Sequence, residues 1–268
     1  MTAFLTKHVQ ISSFKTNDDP SGWVTGWGFI GYVLETSNGR GTTKDLYILI
    51  TRKQFNLLID GQVDEEGKER KENKKINFLE REGLFWNLSY PSRQIDLPEE
   101  NPWESQKQVI EQIVKDYNLN KYTTVLLAGK PATGKSMIPL YLCKHLTEIY
   151  TKVTLVDTWN PTEPGDFFGA IYNKVNPSIT EPLVVVLEEV DGIVMAMHQG
   201  DIKISSKIAM PIQVKSKTDW NQLLDRFDRK MYTGVILVLT TNKTLQWFDD
   251  LDPSYTRKGR INLRCEIL

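Results

Sequence analysis

The stretch GKPATGKS, residues 129–136, constrains this chain more than any other part of its sequence. It satisfies the pattern G-x-x-x-x-G-K-[ST]. The apolar run TTVLLAG before it predicts a strand, and the apolar residues after Lys135 predict a helix. In a strand–loop–helix unit, glycines let backbone N–H groups turn toward a phosphate, and the start of the helix adds a positive dipole end. Unrelated proteins match the pattern by chance, but this context favours phosphate binding.

The residues of this loop have separate expected roles. Lys135 is expected to contact the β- and γ-phosphates of a nucleotide, and Ser136 to ligate Mg²⁺. ATP and Mg²⁺ are therefore the expected ligands. The other residues expected to line the nucleotide are Gly129, Lys130, Pro131, Ala132, Thr133, Gly134 and Met137.

A second apolar run, PLVVVLEEVD, ends in acids. If it forms a buried parallel strand, its acids lie at the carboxyl edge of the sheet, beside the phosphate loop. Glu188 is then expected to hold Mg²⁺, and Glu189 to polarise an attacking water. The alternative is a strand that ends in solvated acids without a catalytic role.

The C-terminal part supplies three more candidates for catalysis. Asn242 follows the apolar strand TGVILVLTT and could hold a water against the γ-phosphate, although an Asn after a strand is usually only a turn former. Arg257 and Arg260 lie in a loop before a final strand and could reach the γ-phosphate of a neighbouring subunit. We expect them to have no task within their own subunit. Read alone, this segment favours two surface arginines.

The sequence predicts two domains, residues 1–97 and 98–268. The first contains short β-branched and aromatic runs separated by turn residues, which predict an antiparallel, β-rich domain, and KQFNLLID predicts a short helix. The charged run at residues 64–75 predicts a solvated loop. Three prolines in PSRQIDLPEENPW indicate a linker between the domains.

After the linker, near-continuous apolar strands alternate with amphipathic helices. This alternation predicts an α/β fold with a parallel sheet covered on both faces. Within it, Trp159, Phe167 and Phe168 suit either a pore loop or helix residues that pack on the sheet, and we favour packing. The insert at residues 197–217, which has no acid after Asp201, is a second candidate for substrate contact, although a solvated hairpin is favoured.

Composition argues against several classes of function. The net charge is −1, so no global basic field attracts nucleic acid or an anionic membrane. Cys143 and Cys265 are far apart, which fits buried thiols in a reduced compartment. No apolar run approaches the roughly 18 residues that a membrane span needs. We therefore expect a cytoplasmic protein without a membrane span or a transition-metal site.

Together the four motifs resemble those of the AAA family of ATPases. GKPATGKS is similar to its Walker A motif and LEEVD to its Walker B motif; TTN resembles its sensor-1 strand end, and LDPSYTRKGRINLRCEI its second region of homology. The motifs occur in family order and cover residues 123–268. Glu188 stands where many members have Asp, which puts the Mg²⁺ geometry in doubt.

The resemblance implies further properties. It implies a P-loop sheet of strand order 5-1-4-3-2, a homo-oligomeric ring, and ATP hydrolysis coupled to remodelling or translocation of a protein substrate. Within the family, the chain is similar to the Bcs-type branch, founded by a mitochondrial translocase of the Rieske protein, and to Bcs-like proteins of large DNA viruses. The family continues into a helical lid after its last strand, and we expect that lid to be absent from these 268 residues.

Two other functions stay open. Glu188 and the expected absence of a lid suit a nucleotide-dependent assembly or binding module that hardly hydrolyses ATP. Related ATPases include nucleic-acid motors, but the near-zero charge and the lack of alternating aromatic and basic residues argue against that role.

Overall fold

A computed structural model describes residues 9–16, 19–38, 41–59, 75–84, 86–202 and 211–267. Nearly all of the charged run, and residues 203–210 of the lysine-bearing insert, lie outside these ranges. The chain forms two compact units, residues 1–72 and 73–268.

The N-terminal unit is a four-stranded antiparallel sheet with strands in chain order. A short helix follows the last strand, so the expected β-rich character and the expected helix are both observed. One face of the sheet buries Val24, Phe29 and Val33. The elements are β1 (Val9–Thr16), β2 (Asp19–Gly26), β3 (Phe29–Asn38), β4 (Gly41–Ile50) and α1 (Arg52–Ile59).

The larger unit is built on a seven-stranded sheet. Its strands are β5 (Lys75–Leu79), β6 (Ser92–Asp96), β7 (Thr123–Gly129), β8 (Thr154–Val156), β9 (Leu183–Leu187), β10 (Val235–Thr241) and β11 (Leu263–Ile267). Its helices are α2 (Glu104–Asn120), α3 (Ile138–Ile149), α4 (Phe168–Val175), α5 (Val190–Gln199), α6 (Lys217–Asp228) and α7 (Leu245–Leu251). Short 3-10 turns occupy Lys135–Met137 and Pro253–Tyr255.

The strand order is β11-β7-β10-β9-β8-β5-β6. Counted from the phosphate-loop strand β7, the first five positions are the fifth, first, fourth, third and second strands, so the expected order is confirmed. These strands are parallel to one another, and β5 continues the parallel set beside β8. Only the last pair, β5 with β6, is antiparallel.

Strands β5 and β6 correct the expected domain boundary. Both lie before residue 98, yet both belong to the larger sheet. The expected linker contains β6, which pairs along its length with β5. The linker interpretation failed because an edge strand has one open side and tolerates polar residues, so SRQID carries no apolar alternation.

Helices cover both faces of the sheet, as the sequence predicted. In β7, Val125 and Leu127 face the core formed with α2 and α3, whereas Leu126 faces the core formed with α4 to α7. This alternation is the two-residue period of a strand. Because the strands are packed on both faces, their carboxyl ends have fixed positions.

Of the three aromatic residues considered for a pore loop, two are buried in the core and one is partly exposed. Trp159 and Phe168 are buried, and their ring centroids lie 5.2 Å apart. Phe168 also packs on Phe227 and Tyr232. The core interpretation therefore holds for Trp159 and Phe168, and only Phe167 is partly exposed.

Two further expectations concern membranes and thiols. Among the described helices, none combines the length and the apolar character required to cross a bilayer. Cys143 and Cys265 are buried free thiols. Burial raises the pKa of both, so they stay protonated at neutral pH.

Candidate nucleotide-binding site

The phosphate loop connects β7 to the 3-10 turn before α3. Two of its residues have left-handed backbone, Ala132 at φ 66° and Gly134 at φ 78°. A Cβ at Gly134 would also lie 2.6 Å from Gln106 Nε2, so the glutamine that bonds to this loop would have to shift. At Gly129, a Cβ would lie 2.6 Å from the carbonyl oxygen of Ile267 in the neighbouring strand. The loop is therefore a tight backbone turn, and a side chain at either glycine would occupy space inside it.

Lys135 lies inside this turn. Its Nζ donates to the carbonyl oxygens of Gly129 and Lys130, each at 2.7 Å, and only 7% of the residue is exposed. Burial lowers the pKa of Lys135, and the charge of Asp191 partly opposes that shift. The lysine is thus a partly desolvated cation at the centre of the loop, which suits the recognition of phosphate.

Gln106, on the first turn of α2, connects that helix to the phosphate loop. Its Nε2 donates to the carbonyl oxygen of Gly134 at 3.0 Å, and its Oε1 accepts from the Trp103 N–H at 2.8 Å. The residue is 2% exposed. Sequence reasoning missed Gln106, although a Gln three residues into a helix is a capping signal.

The two glutamates follow β9 as expected. Both are exposed, and Glu189 has left-handed backbone at φ 50° and ψ 43°. Its N–H donates to Thr240 Oγ1 of the neighbouring strand at 3.3 Å. Because a non-glycine residue in this conformation costs about 1–2 kcal/mol, it marks a local backbone constraint. That constraint turns the chain sharply at the edge where the phosphate loop lies.

Asn242 follows β10 at the same edge. Asp191 Oδ1 accepts the Thr241 hydroxyl at 2.7 Å and the Asn242 N–H at 3.4 Å. Asp191 therefore connects the start of α5 to the end of β10 and fixes the backbone on which Asn242 stands. Sequence reasoning noted this acid but gave it no role.

These elements form one cleft of about 410 Å³. Its lining includes Lys135, Ser136, Glu188, Glu189 and Asn242, the residues expected to contact the phosphates, the metal or the attacking water. The hydroxyl and carboxylate oxygens are the hard ligands that Mg²⁺ prefers, and the glycine-lined turn leaves space for a phosphate. Four more expected residues, Pro131, Ala132, Gly134 and Met137, line it beside Thr240 and Thr241, whereas the expected residues Gly129, Lys130 and Thr133 are not part of this lining.

Arg257 and Arg260 lie away from this cleft. The segment that carries them bonds to Thr124, at the beginning of β7, whereas the phosphate loop follows Gly129 at its end. Five residues of strand separate these ends by about 16 Å. Neither arginine lines the cleft of its own subunit.

Both arginines bind Asp225 within their own subunit, so the expectation that they have no task there is wrong. Arg257 Nη2 and Arg260 Nε lie 2.9 Å and 2.7 Å from the same oxygen, Asp225 Oδ1. The sequence did not indicate this contact because Asp225 is far from them along the chain. Only the packing of α6 beside the loop brings the three residues together.

A parallel sheet of this order, with a glycine-lined phosphate turn at its carboxyl edge, defines a P-loop nucleotide-binding module. The family model described as "ATPase family associated with various cellular activities (AAA)" matches residues 125–267, which is more than half of the chain. The chain therefore belongs to the AAA family.

Comparison with individual proteins shows more distant similarity. The human ATPase family gene 2 protein homolog A is 23% identical over 244 residues, which are 88% of this chain and 24% of that protein. The chain thus spans about a quarter of this relative. Caenorhabditis elegans PCH-2 and the Aeropyrum pernix ORC1 protein in complex with DNA are each 16% identical over 64% of this chain. The matched region covers 43% of the PCH-2 chain and 46% of the ORC1 chain, with TM-scores of 0.38 and 0.39, respectively.

Proposed function

We propose that this chain binds Mg-ATP and hydrolyses it within an oligomer, and that hydrolysis drives remodelling or translocation of a protein substrate. The observation that supports the proposal most directly is the single cleft lined by Lys135, Ser136, Glu188, Glu189 and Asn242. Each of these residues has chemistry that ATP hydrolysis requires, and together they come from three separate segments of the chain.

The residue roles follow from that arrangement. Lys135 and the loop N–H groups bind the β- and γ-phosphates, while Ser136 and Glu188 would hold Mg²⁺. The bound metal supplies neutralisation of charge that develops on the phosphate oxygens. Glu189 accepts hydrogen bonds from the attacking water, and Asn242 orients that water toward the γ-phosphate.

The positions of the two arginines support the oligomeric part of the proposal. They are at the opposite edge of the sheet from the cleft, so a transition-state contact from them is made with a neighbouring subunit. Such an arginine contributes about 10³- to 10⁵-fold to turnover in NTPases that use one. Assembly is then a condition for hydrolysis.

Phosphate release and nucleotide binding test the cleft. We expect steady phosphate release from the unaltered protein, loss of both binding and release in Lys135→Ala, and retained binding without release in Glu189→Gln. Binding without any release in the unaltered protein would instead favour an assembly module that hardly hydrolyses ATP. Stimulation of release by DNA that decreases with salt would favour a nucleic-acid motor.

Mixing variants tests the contact between subunits. Arg257→Ala should bind ATP but release little phosphate. A mixture of Glu189→Gln with Arg257→Ala should regain activity, because some interfaces then pair an intact cleft with an intact arginine. Failure of every mixing ratio to restore release would refute the contact in trans.

The N-terminal sheet supports a protein as the substrate. Trp23, Tyr32 and Tyr47 are cross-strand neighbours and all are exposed. Exposed aromatic side chains of this kind are common where proteins bind one another. Stimulation of phosphate release by an unfolded protein such as casein, reduced in Trp23→Ala, is the expected result. A Bcs-type relationship is proposed on the β-rich N-terminal unit and the segment PSRQIDL, since the four motifs are common to the AAA family.

A further inference from the structure

Asp225 on α6 contacts both arginines of the C-terminal loop. Arg260 binds both of its carboxylate oxygens, with Nε 2.7 Å from Oδ1 and Nη2 3.1 Å from Oδ2. Arg257 shares Oδ1 through Nη2 at 2.9 Å. One carboxylate therefore binds two guanidinium groups, for which the sequence analysis predicted the same role.

The two arginines differ in burial and in their other partners. The Arg260 side chain is 10% exposed, and its Nη1 also donates to the Ser254 carbonyl oxygen at 2.5 Å. The Arg257 side chain is 46% exposed, and its other hydrogen bond, at 3.2 Å, goes to the carbonyl oxygen of its neighbour Lys258. Arg260 is held inside the fold, whereas Arg257 is held at its surface.

The backbone between the arginines forms a tight turn close to α6. Gly259 has a left-handed φ of 98°, and a Cβ there would lie 2.9 Å from Asp228 Oδ2. The Arg257 carbonyl oxygen accepts the N–H groups of Arg260 and Ile261 at 3.1 Å and 3.2 Å. The freedom of Arg257 is thus confined to its side chain.

Charge keeps Asp225 ionised. The hydrogen bond from Arg260 is the largest cause that lowers the pKa of Asp225, and the charges of Arg257 and Arg229 add to it. Because the Arg257 side chain is 46% exposed, solvent screens its ion pair with Asp225, and little free energy is lost when Arg257 leaves it. A triphosphate offers a higher negative charge and bidentate oxygens, which bind a guanidinium more strongly.

We propose that Asp225 is a positioning residue that gives the two arginines different roles. This proposal rests on the proposed contact between subunits. Through Asp225, Arg260 anchors the loop to α6. Arg257 is held beside the same carboxylate and transfers from it to the γ-phosphate of the neighbouring subunit. Arg257 is then the catalytic arginine, and Arg260 contacts no nucleotide.

Kinetics of Asp225→Asn test the positioning role, with Asp250→Asn, an exposed acid of α7, as the matched control. We expect kcat for phosphate release to decrease at least tenfold in Asp225→Asn, with the ATP affinity unchanged and with partial recovery in Asp225→Glu. Mixing Asp225→Asn with Lys135→Ala should restore release, because the Lys135→Ala subunits present correctly held arginines to intact clefts. A merely misfolded subunit would not be rescued.

Separate arginine variants test the division of work even if Asp225→Asn folds poorly. Arg257→Ala should reduce kcat at least tenfold without changing Tm, whereas Arg260→Ala should lower Tm. Unchanged kcat in a folded Asp225→Asn, no rescue by mixing, or equal effects of both arginine variants on Tm would each overturn the proposal. Failure of the proposed function gives a different result from failure of the positioning role alone, because the unaltered protein would then release no phosphate. The positioning role would be refuted together with it.

Discussion

The Thr241 hydroxyl, at the end of β10, donates a hydrogen bond of 2.7 Å to Asp191 Oδ1. Asp191 lies on α5, the helix that follows the neighbouring strand β9, so the bond joins β10 to α5. Asp191 also accepts the N–H of Asn242 and lies close enough to raise the pKa of Lys135 against the effect of burial. One carboxylate outside the lining of the cleft therefore influences two residues within it.

Replacement of Asp191 by Ala is expected to lower kcat while ATP binding is largely retained. The Thr241 hydroxyl loses its acceptor and the backbone at Asn242 loses its anchor, at a cost of about 1–3 kcal/mol to stability. Asp191→Asn keeps an acceptor oxygen and should be milder in both respects. Phosphate release and thermal unfolding measure the two effects. An Asp191→Ala protein with unaltered kcat would show that Asn242 does not depend on this acid.

Replacement of Gln106 by Glu is expected to weaken ATP binding by about tenfold, which corresponds to the loss of one hydrogen bond of about 1.4 kcal/mol. A carboxylate cannot donate to the Gly134 carbonyl oxygen, so the phosphate loop loses its connection to α2. Titration with a fluorescent ATP analogue measures the affinity. Gln108→Glu, an exposed position on the same helix, is the control. Equal affinities of the two variants would exclude this role for Gln106.

A fragment of residues 73–268 is expected to fold, and a fragment of residues 98–268 is not. The shorter fragment lacks β5, β6 and the buried side chains of Ile76, Phe78, Leu79, Tyr90 and Leu97. At about 1.5–3 kcal/mol each, their burial amounts to roughly 10 kcal/mol, which is comparable to the whole stability of a domain. Circular dichroism and thermal unfolding compare the fragments. A cooperative transition in residues 98–268 would mean that β5 and β6 are dispensable.

Acid is expected to weaken the loop before the arginines through Asp252. Hydrogen bonds from Lys217 and Ser254 lower the pKa of Asp252 from 3.8 to about 2. Because the pKa is lower in the folded state, this stabilisation is fully present above pH 3.8 and is lost as the pH decreases toward 2. The two side chains are partly exposed, so the pair contributes no more than about 1 kcal/mol.

Denaturant unfolding at several pH values tests this contribution of Asp252. Asp252→Asn should be less stable than the unaltered protein at about pH 7, and the difference should shrink between about pH 4 and pH 2. Asp250→Asn, an exposed neighbour, is the control. A difference that does not change with pH would assign the stabilisation to packing instead of charge.

Local patterns predicted most of the larger unit and nine residues of its cleft. The phosphate loop, the two glutamates and Asn242 each follow an apolar strand, and parallel strands bring their carboxyl ends to one edge. Strand β6 was missed because its polar sequence has no periodicity. Asp225 was missed because its arginine partners are distant in sequence, so no local pattern records the contact. Gln106 stands at a local capping position, but its bond to Gly134 joins residues 28 apart, which no local pattern records.

The sequence by itself determined the parallel α/β fold and the edge of the sheet at which ATP is proposed to bind, because apolar periodicity and glycine spacing act over a few residues. The strand order followed from the resemblance of its motifs to the AAA family. Only the tertiary structure decided that β5 and β6 extend the sheet and that Asp225 joins two arginines. Those features depend on which side chains meet when α6 and the strands pack, and contacts between distant residues form only when the chain is folded.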